Sequence, residues 1–153
     1  MKPNLLALLV ADNVYRDART GKYIISGTFN KLFFSRTNLN QPVMVDGKQR
    51  LLGGMDSGSP YAYLCLSDVR GDTKLMLRYV DLADNSQLFE GEIRVTAQSP
   101  LDSVEAILPL PRLPVPHPGI FALEILYENE LVGMRRIIVE ELPTKPGATE
   151  PEK

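Results

Sequence analysis

Strand patterning recurs along the whole chain and restricts the fold more than any other feature. In the clearest example, from Phe89 to Ala97, small or apolar residues alternate with polar ones. A two-residue period places the apolar side chains on one face of a β-strand. Comparable segments follow at intervals of about 8–15 residues, with turn residues between them. No window combines the apolar spacing and the end caps of an amphipathic helix.

These segments predict an all-β fold, a two-sheet antiparallel sandwich of about eight or nine strands. The strand order stays open between an immunoglobulin-like and a C2-like arrangement. The length of 153 residues fits one domain, and a chain of this size buries about two thirds of its surface on folding. Such a core needs no disulfide or metal to hold it together.

Two segments have the composition of chain without regular structure. Glycine and serine dominate residues 53–59, and the final residues are rich in proline, glycine and charge. We therefore predict one domain over residues 1–142, with a mobile loop near 46–60, and a disordered polar tail over 143–153.

The stretch Asn4–Phe34 has the pattern of two apolar strands joined by a charged loop. Leu5–Ala11 is apolar at every position, which predicts a strand that is central in a sheet or covered on both faces. Gly27 interrupts the next alternating run and predicts a bulge or a close backbone approach. Lys31–Phe34 either continues that second strand or enters the facing sheet.

The second half of the chain predicts two hairpins and a stiff connection. Tyr61–Val69 is expected to pair with Lys74–Val80 across a short turn, and Ile120–Tyr127 with Leu131–Glu140. The proline-rich segment Pro109–Pro118 is expected to cross in extended conformation from one sheet to the other. The alternative is an exposed proline ligand for an SH3-like groove.

Catalytic chemistry has few candidate residues. His117 is the only histidine and lies between two prolines, and Cys65 is the only cysteine and lies in an apolar strand. We expect His117 to be a surface or pH-sensitive residue and Cys65 to be a small core residue. No zinc-type cluster, phosphate-binding glycine loop or nucleophile elbow is present in the sequence. The sequence therefore predicts no enzymatic activity, no catalytic residue and no cofactor.

Asp12, Asn13, Asp17 and Lys22 form the candidate loop for a partner or a ligand. Calcium sites use such oxygen-rich side chains, but a complete site needs about six to eight oxygen ligands. The structural alternative is that Asp12 and Asn13 cap a turn through hydrogen bonds to the backbone. We predict no metal site here.

Charge and hydropathy limit the partners. The net charge of −2 gives no general attraction to nucleic acid. Residues 1–50 carry eight Lys or Arg against three Asp or Glu, which predicts either attraction between strands or a basic face for an acidic partner. The longest apolar run has seven residues, far fewer than the roughly 20 that span a bilayer. With a single cysteine, the chain is predicted to be cytoplasmic and not membrane-bound.

The opening stretch also carries the pattern D-N-V-x-x-D-x-x-T-G-K-x-x-x-x-G-x-F. Its residues are Asp12, Asn13, Val14, Asp17, Thr20, Gly21, Lys22, Gly27 and Phe29. Near the other end, Pro118-Gly119-Ile120-Phe121 and Leu131-Val132-Gly133 open two strands. In these features the chain resembles a family of small uncharacterised bacterial proteins. The resemblance implies a bacterial, cytosolic β-sandwich, and it implies no activity and no site residue.

An adequate core without a catalytic constellation favours a non-enzymatic interaction or structural module. Such a module would bind another protein or assemble with itself. The alternative is a binder of a small ligand or carbohydrate that uses the loops at one end of the sandwich, near Asp12–Lys22 and residues 35–60.

Overall fold

The computed structural model describes residues 2–34, 42–45, 48–51 and 59–141, and it places the side chains of residues 2–33 and 59–141. Within these ranges β-strands are the only regular secondary structure. The described part of the chain therefore contains no helix of the kind that crosses a membrane. The strands are β1 (Asn4–Arg16), β2 (Tyr23–Thr28), β3 (Lys31–Phe34), β4 (Pro42–Val45), β5 (Lys48–Leu51), β6 (Tyr61–Ser67), β7 (Gly71–Asp81), β8 (Ser86–Ala97), β9 (Val104–Pro109), β10 (Gly119–Tyr127) and β11 (Glu130–Glu141).

Nine of the strands form two sheets, which confirms the predicted all-β sandwich. One sheet has the order β2-β1-β6-β9, and the other has the order β3-β11-β10-β7-β8. The strands β4 and β5 form a separate antiparallel hairpin. Pairing within the two sheets is antiparallel except between β3 and β11, which run parallel. This exception arises because Lys31–Phe34 enters the facing sheet immediately after β2.

The core lies between the two sheets, where the alternating apolar side chains meet. Leu64 of the four-stranded sheet and Leu75 and Leu123 of the five-stranded sheet are fully buried. The rings of Tyr79 and Phe121 stack within this core, with centroids 5.7 Å apart. Burying one such side chain stabilises the fold by about 1.5–3 kcal/mol.

Strand β1 is inside its sheet, but its two faces are not equally covered. Val10 is fully buried, whereas the side chain of Leu6 is 53% exposed. The unbroken apolar run therefore correctly predicted a strand within a sheet, but not one covered on both faces.

The predicted hairpin between Tyr61–Val69 and Lys74–Val80 is wrong. Strand β6 pairs with β1 and β9, and β7 pairs with β10 and β8. The intervening turn, with Asp68 at φ 59° and Gly71 at φ 63°, carries the chain across the core to the other sheet. Alternation gives the same sequence signal for strands that lie side by side and for strands that face each other, so it could not separate these arrangements. The predicted pairing of β10 with β11 is confirmed.

The proline-rich segment connects the two sheets, as predicted. It follows β9 in the four-stranded sheet and precedes β10 in the five-stranded sheet. Leu110, Leu113 and Val115 point into the core and are 6% exposed or less. A segment whose apolar residues are buried in this way cannot present a proline ridge over its whole length.

Part of the predicted mobile loop, residues 48–51, forms β5. The remainder of that loop before Ser59 and the predicted tail at 143–153 lie outside the described residues. Both therefore stay predictions.

Candidate functional site

The ribbon formed by β1 and β2 bends back over the outer face of the four-stranded sheet. Tyr63 is on that face, because its neighbour Leu64 points into the core. Tyr63 pairs with Leu9, whereas Tyr23 pairs with Arg16, seven residues further along β1. In a straight ribbon, Leu9 and Arg16 would be about 23 Å apart along β1. The ring centroids of Tyr63 and Tyr23, which pair with them, are nevertheless only 5.8 Å apart.

Gly27 of β2 lies opposite Asp12 of β1. It has a φ of 74°, and a Cβ atom at this position would lie 2.6 Å from Oδ2 of Asp12. The register on either side pairs Ala11 with Thr28 and Asn13 with Ser26. The predicted close approach to the Gly27 backbone is thereby confirmed, whereas the register continues unbroken past Gly27 and contradicts the alternative, a bulge with an inserted residue. Asp12 therefore packs against the backbone of β2.

Asp17 holds the loop at the end of this ribbon. Its Oδ1 accepts hydrogen bonds from the backbone N–H groups of Arg19 at 2.8 Å and Thr20 at 2.9 Å. These donors, that of Thr20 most strongly, lower the pKa of the Asp17 carboxyl below its ordinary value. The backbone N–H of Gly21 also donates to the Asp17 carbonyl at 2.8 Å. Capping of the turn was expected from Asp12 and Asn13, but Asp17 is the residue that does it.

The four residues of the predicted binding loop do not converge on one point. Asp17 and Lys22 belong to the same turn, since the Asp17 N–H donates to the Lys22 carbonyl at 2.8 Å. Asp12 and Asn13 are consecutive residues of a strand, so their side chains project to opposite faces. Within the described ranges, no group of three or more His, Cys, Asp or Glu side chains is placed to hold a metal ion.

The bent ribbon partly covers a polar cluster around Tyr63. The Tyr63 hydroxyl donates a hydrogen bond to Glu105 of the neighbouring strand β9. Burial first, and this hydrogen bond second, raise the pKa of the Tyr63 phenol above its ordinary value. Cys65 lies on the same outer face and is half-buried. The prediction that Cys65 is a core residue is therefore wrong, because the core-facing positions of β6 are its even-numbered residues.

His117 is bound on both sides of its ring. Nδ1 faces the carbonyl of Pro118, and Nε2 faces the carboxylate of Asp81, whose side chain is only 4% exposed. The Pro118 carbonyl first, and Asp81 second, raise the pKa of the His117 imidazole. The ring also packs on Phe121, at 5.4 Å between centroids. The contact between His117 and Asp81 thus connects the proline-rich segment to the end of β7.

A cleft of about 520 Å³ opens at the opposite end of the sandwich from the predicted binding loop. Pro3, before β1, lines it together with the β6–β7 connection and the β10–β11 turn. The loop at Asp17, in contrast, follows the last residue of β1. The predicted binding loop is therefore at the end of the sandwich away from this cleft.

The cleft wall carries charges of both signs. The charged residues are Asp68, Arg70, Asp72, Lys74 and Glu128. Some of these carboxylates are already hydrogen-bonded, since Asp72 accepts from the Thr96 hydroxyl at 2.7 Å. At the rim, Glu128 and Asn129 both have positive φ, 50° and 66°. Glutamate is an unusual residue for the first position of such a turn.

An apolar patch lies on the outer face of the five-stranded sheet. We define it as Phe33, Ile120 and Ile138, which are 42%, 46% and 36% exposed. These residues belong to the adjacent strands β3, β10 and β11, and Ile120 pairs directly with Ile138. An ion pair between Lys31 and Glu140, 3.2 Å long, borders the patch.

Next to the patch, an open concavity of about 500 Å³ is lined by Asn30, Met134, Arg135 and Arg136, and we call it the arginine cavity. It adjoins the patch because the N–H of Ile138 donates to the Asn30 carbonyl at 2.9 Å. Nε of Arg135 is buried and has no hydrogen-bond partner among the residues that the structure describes. Neither arginine forms an ion pair with a carboxylate in the described part of the chain.

Comparison with known proteins adds little. No protein-family model matches the chain, and a search of curated proteins finds no match. Among solved structures, the chain is similar to an immunoglobulin-like protein from Pseudomonas aeruginosa, with 14% identity over 91% of this chain and 97% of that chain. The TM-score of 0.38 is too low to support any inference. The resemblance to the uncharacterised bacterial family stays a prediction.

Two departures from strand patterning could have pointed to these surfaces. In β11, Arg135 occupies a core-facing position between Gly133 and Ile137, which breaks the alternation of core and surface residues. Phe33 and Ile138 are apolar, but each is the neighbour of a buried residue, Leu32 or Val139. Because neighbours on a strand face opposite sides, Phe33 and Ile138 can be recognised as outward-facing once Leu32 and Val139 are known to be buried.

Proposed function

We propose that this protein is a non-enzymatic binding module whose apolar patch contacts a partner protein. The observation that carries the proposal is the grouping of Phe33, Ile120 and Ile138 on three adjacent strands. Large apolar side chains that are exposed singly need no explanation, but grouped ones rimmed by charge are typical of protein interaction sites. Lys31, Glu140 and Arg136 supply such a rim.

The same proposal includes the absence of catalysis and a cytoplasmic location. Both ring nitrogens of His117 face acceptors, so the imidazole has no nitrogen directed at a substrate. A general base must reach the proton that it removes. Cys65 is half-buried beside Tyr63 instead of lying in an electropositive, accessible site. A single free thiol also suits a reducing compartment.

The test compares capture of proteins from a lysate of the source organism by four tagged forms. Wild-type protein and Leu101→Ser, a control at an apolar residue that is 92% exposed elsewhere, should retain the same partner. Ile120→Ser and Ile138→Ser should lose it, because each removes apolar contact area from the patch. Quantitative mass spectrometry measures the enrichment.

Light scattering on the purified protein completes this test. Self-association that is lost in Ile120→Ser would identify a second copy of the chain as the partner. A strict monomer at high concentration, together with no captured protein that depends on the patch, would contradict the proposal.

A small polar ligand in the cleft near Asp68 is the second candidate function. The cleft is large enough for such a molecule, since ligand pockets span about 300–1,000 Å³. Charges of both signs, with Tyr127 beside them, suit a ligand that is zwitterionic or rich in hydroxyl groups. A metabolite and sugar panel should then raise the melting temperature of the wild-type protein but not of Lys74→Ala. A panel without any thermal shift would exclude this function.

A further inference from the structure

We propose that the free edge of β11 beside the arginine cavity binds an extended acidic segment of the partner protein, which adds to the five-stranded sheet as a further strand. This inference rests on the proposed function and names the chemistry of the partner. It depends on the backbone of β11, on two arginines that no described carboxylate pairs with, and on the shape of the cavity beside them.

The backbone of β11 is available for pairing along its first part. Strand β3 pairs with β11 only from Ile138 to Glu141, and among the described strands only β10 pairs with the preceding residues. The Ile138 N–H points toward the β3 side, since it donates to Asn30. In an antiparallel strand, every second residue directs its N–H and C=O to the same side. The backbone groups of Met134 and Arg136 therefore face the open side.

The side chains at this edge select for negative charge. Arg135 projects from the core-facing side of β11, and Arg136 projects from its outer side. The surrounding acidic residues are already engaged, since Glu124 is paired with Arg78 at 2.7 Å and Glu140 with Lys31. Two guanidinium groups consequently face the cavity without a neutralising carboxylate from the described residues.

A strand that pairs with β11 would alternate its own side chains between the same two sides. Two consecutive acidic residues would then place one carboxylate near Arg135 and the other near Arg136. Arginine pairs with carboxylates through two parallel hydrogen bonds, and a carboxylate would also satisfy the buried Nε of Arg135. The cavity of about 500 Å³ provides the room for these side chains. Strand addition with alternate side-chain pockets is an established mode of peptide recognition.

The experiment measures fluorescence anisotropy of two labelled peptides, Thr-Val-Glu-Glu-Val-Thr and Thr-Val-Lys-Lys-Val-Thr, with the full chain. The acidic peptide should bind, and the basic peptide should bind at least about tenfold more weakly because its charges oppose the two arginines. Arg135→Ser and Arg136→Ser should each weaken the acidic peptide by roughly fivefold or more. Arg94→Ser, which removes an exposed arginine from the opposite edge strand β8, should leave the affinity unchanged.

A second pair of variants tests the backbone. Met134→Pro removes the edge N–H and should weaken the acidic peptide, whereas Met134→Ala keeps the N–H and should not. Circular dichroism and the melting temperature must show that each variant is folded, and a variant that fails this check is replaced by Met134→Nα-methylalanine, made by ligation.

Several results would overturn the inference. These are equal binding of both peptides, acidic binding that is insensitive to both arginine substitutions, or tighter binding of a single-stranded RNA hexamer at the same edge. Loss of peptide binding as the protein self-associates would assign the edge to a second copy. If capture from the lysate depends on Ile120 and Ile138 while the acidic peptide does not bind, the proposed function stands and only this inference fails.

Discussion

The stability of the folded protein depends on the protonation state of His117. Only the imidazolium can donate from both nitrogens, to Pro118 and to Asp81, which is why the folded protein favours the charged form. The pKa in the folded protein is raised above the unfolded value of about 6.5. The stabilisation is therefore complete below that pH and is lost as the pH rises through the folded pKa.

We accordingly expect the stability advantage of wild type over His117→Gln to be largest near pH 6 and to shrink toward pH 9. Urea unfolding across this range measures it. Because His117 is the only histidine, its NMR titration gives the folded pKa from a single resonance. Asp81→Asn keeps an oxygen for the Ala83 N–H and should lower that pKa without removing the contribution of Pro118. A pKa at or below the ordinary value in wild type would contradict this account.

Gly27 is the residue of the sequence motif whose identity the structure explains most directly. Alanine at this position would adopt a left-handed conformation and would place its methyl group against Oδ2 of Asp12. We expect Gly27→Ala to lower the free energy of unfolding by about 1–3 kcal/mol. In an Asp12→Ala background the same substitution should cost less, because only the backbone strain remains. Equal costs in both backgrounds, measured by urea unfolding, would show that the contact is unimportant.

At the scale of elements, β1 and β11 contact each other across the core at a glycine, Gly133. A Cβ atom on Gly133 would clash with Cδ2 of Leu5, so glycine allows the two sheets to approach at this point. Gly133→Ala should therefore destabilise the protein by about 1–3 kcal/mol through overpacking. With Leu5→Ala already present, the added methyl group enters the vacated space, and the second substitution should be neutral or stabilising. Thermal unfolding of the four proteins in this cycle measures the coupling.

The elements themselves were largely predictable, and their pairing was only partly so. Alternation in Phe89–Ala97 identified β8, and the short turn after Tyr127 identified the β10–β11 hairpin, because both signals are local. The partner of Tyr61–Val69 was not predictable, since β6 pairs with β1 and β9 across long stretches of sequence. The same limit applies to the sites. The arginine cavity joins Asn30 to Arg135, and only the parallel pairing of β3 with β11 brings them together.

At the scale of the whole molecule, the two sheets share one core, and the proline-rich segment links them through buried side chains. Leu113 in this segment is 6% exposed and belongs to the same apolar cluster as Val10 and Leu123. A cavity at the crossover should therefore weaken both sheets together instead of loosening one of them. Cooperative unfolding of a single domain is the physical basis of this expectation.

Leu113→Ala should lower the free energy of unfolding by about 2–4 kcal/mol, in one transition that is the same for all probes. Hydrogen exchange distinguishes the alternatives, because the amides of Leu9, which faces β6, and Leu123, which faces β11, report on different sheets. Under conditions where exchange requires global opening, both should accelerate by the same factor. The control Leu101→Ala, at a residue that is 92% exposed, should change stability by no more than about 0.5 kcal/mol. Acceleration confined to Leu123 would mean that the five-stranded sheet opens separately, and the crossover would then be a hinge between two stability units.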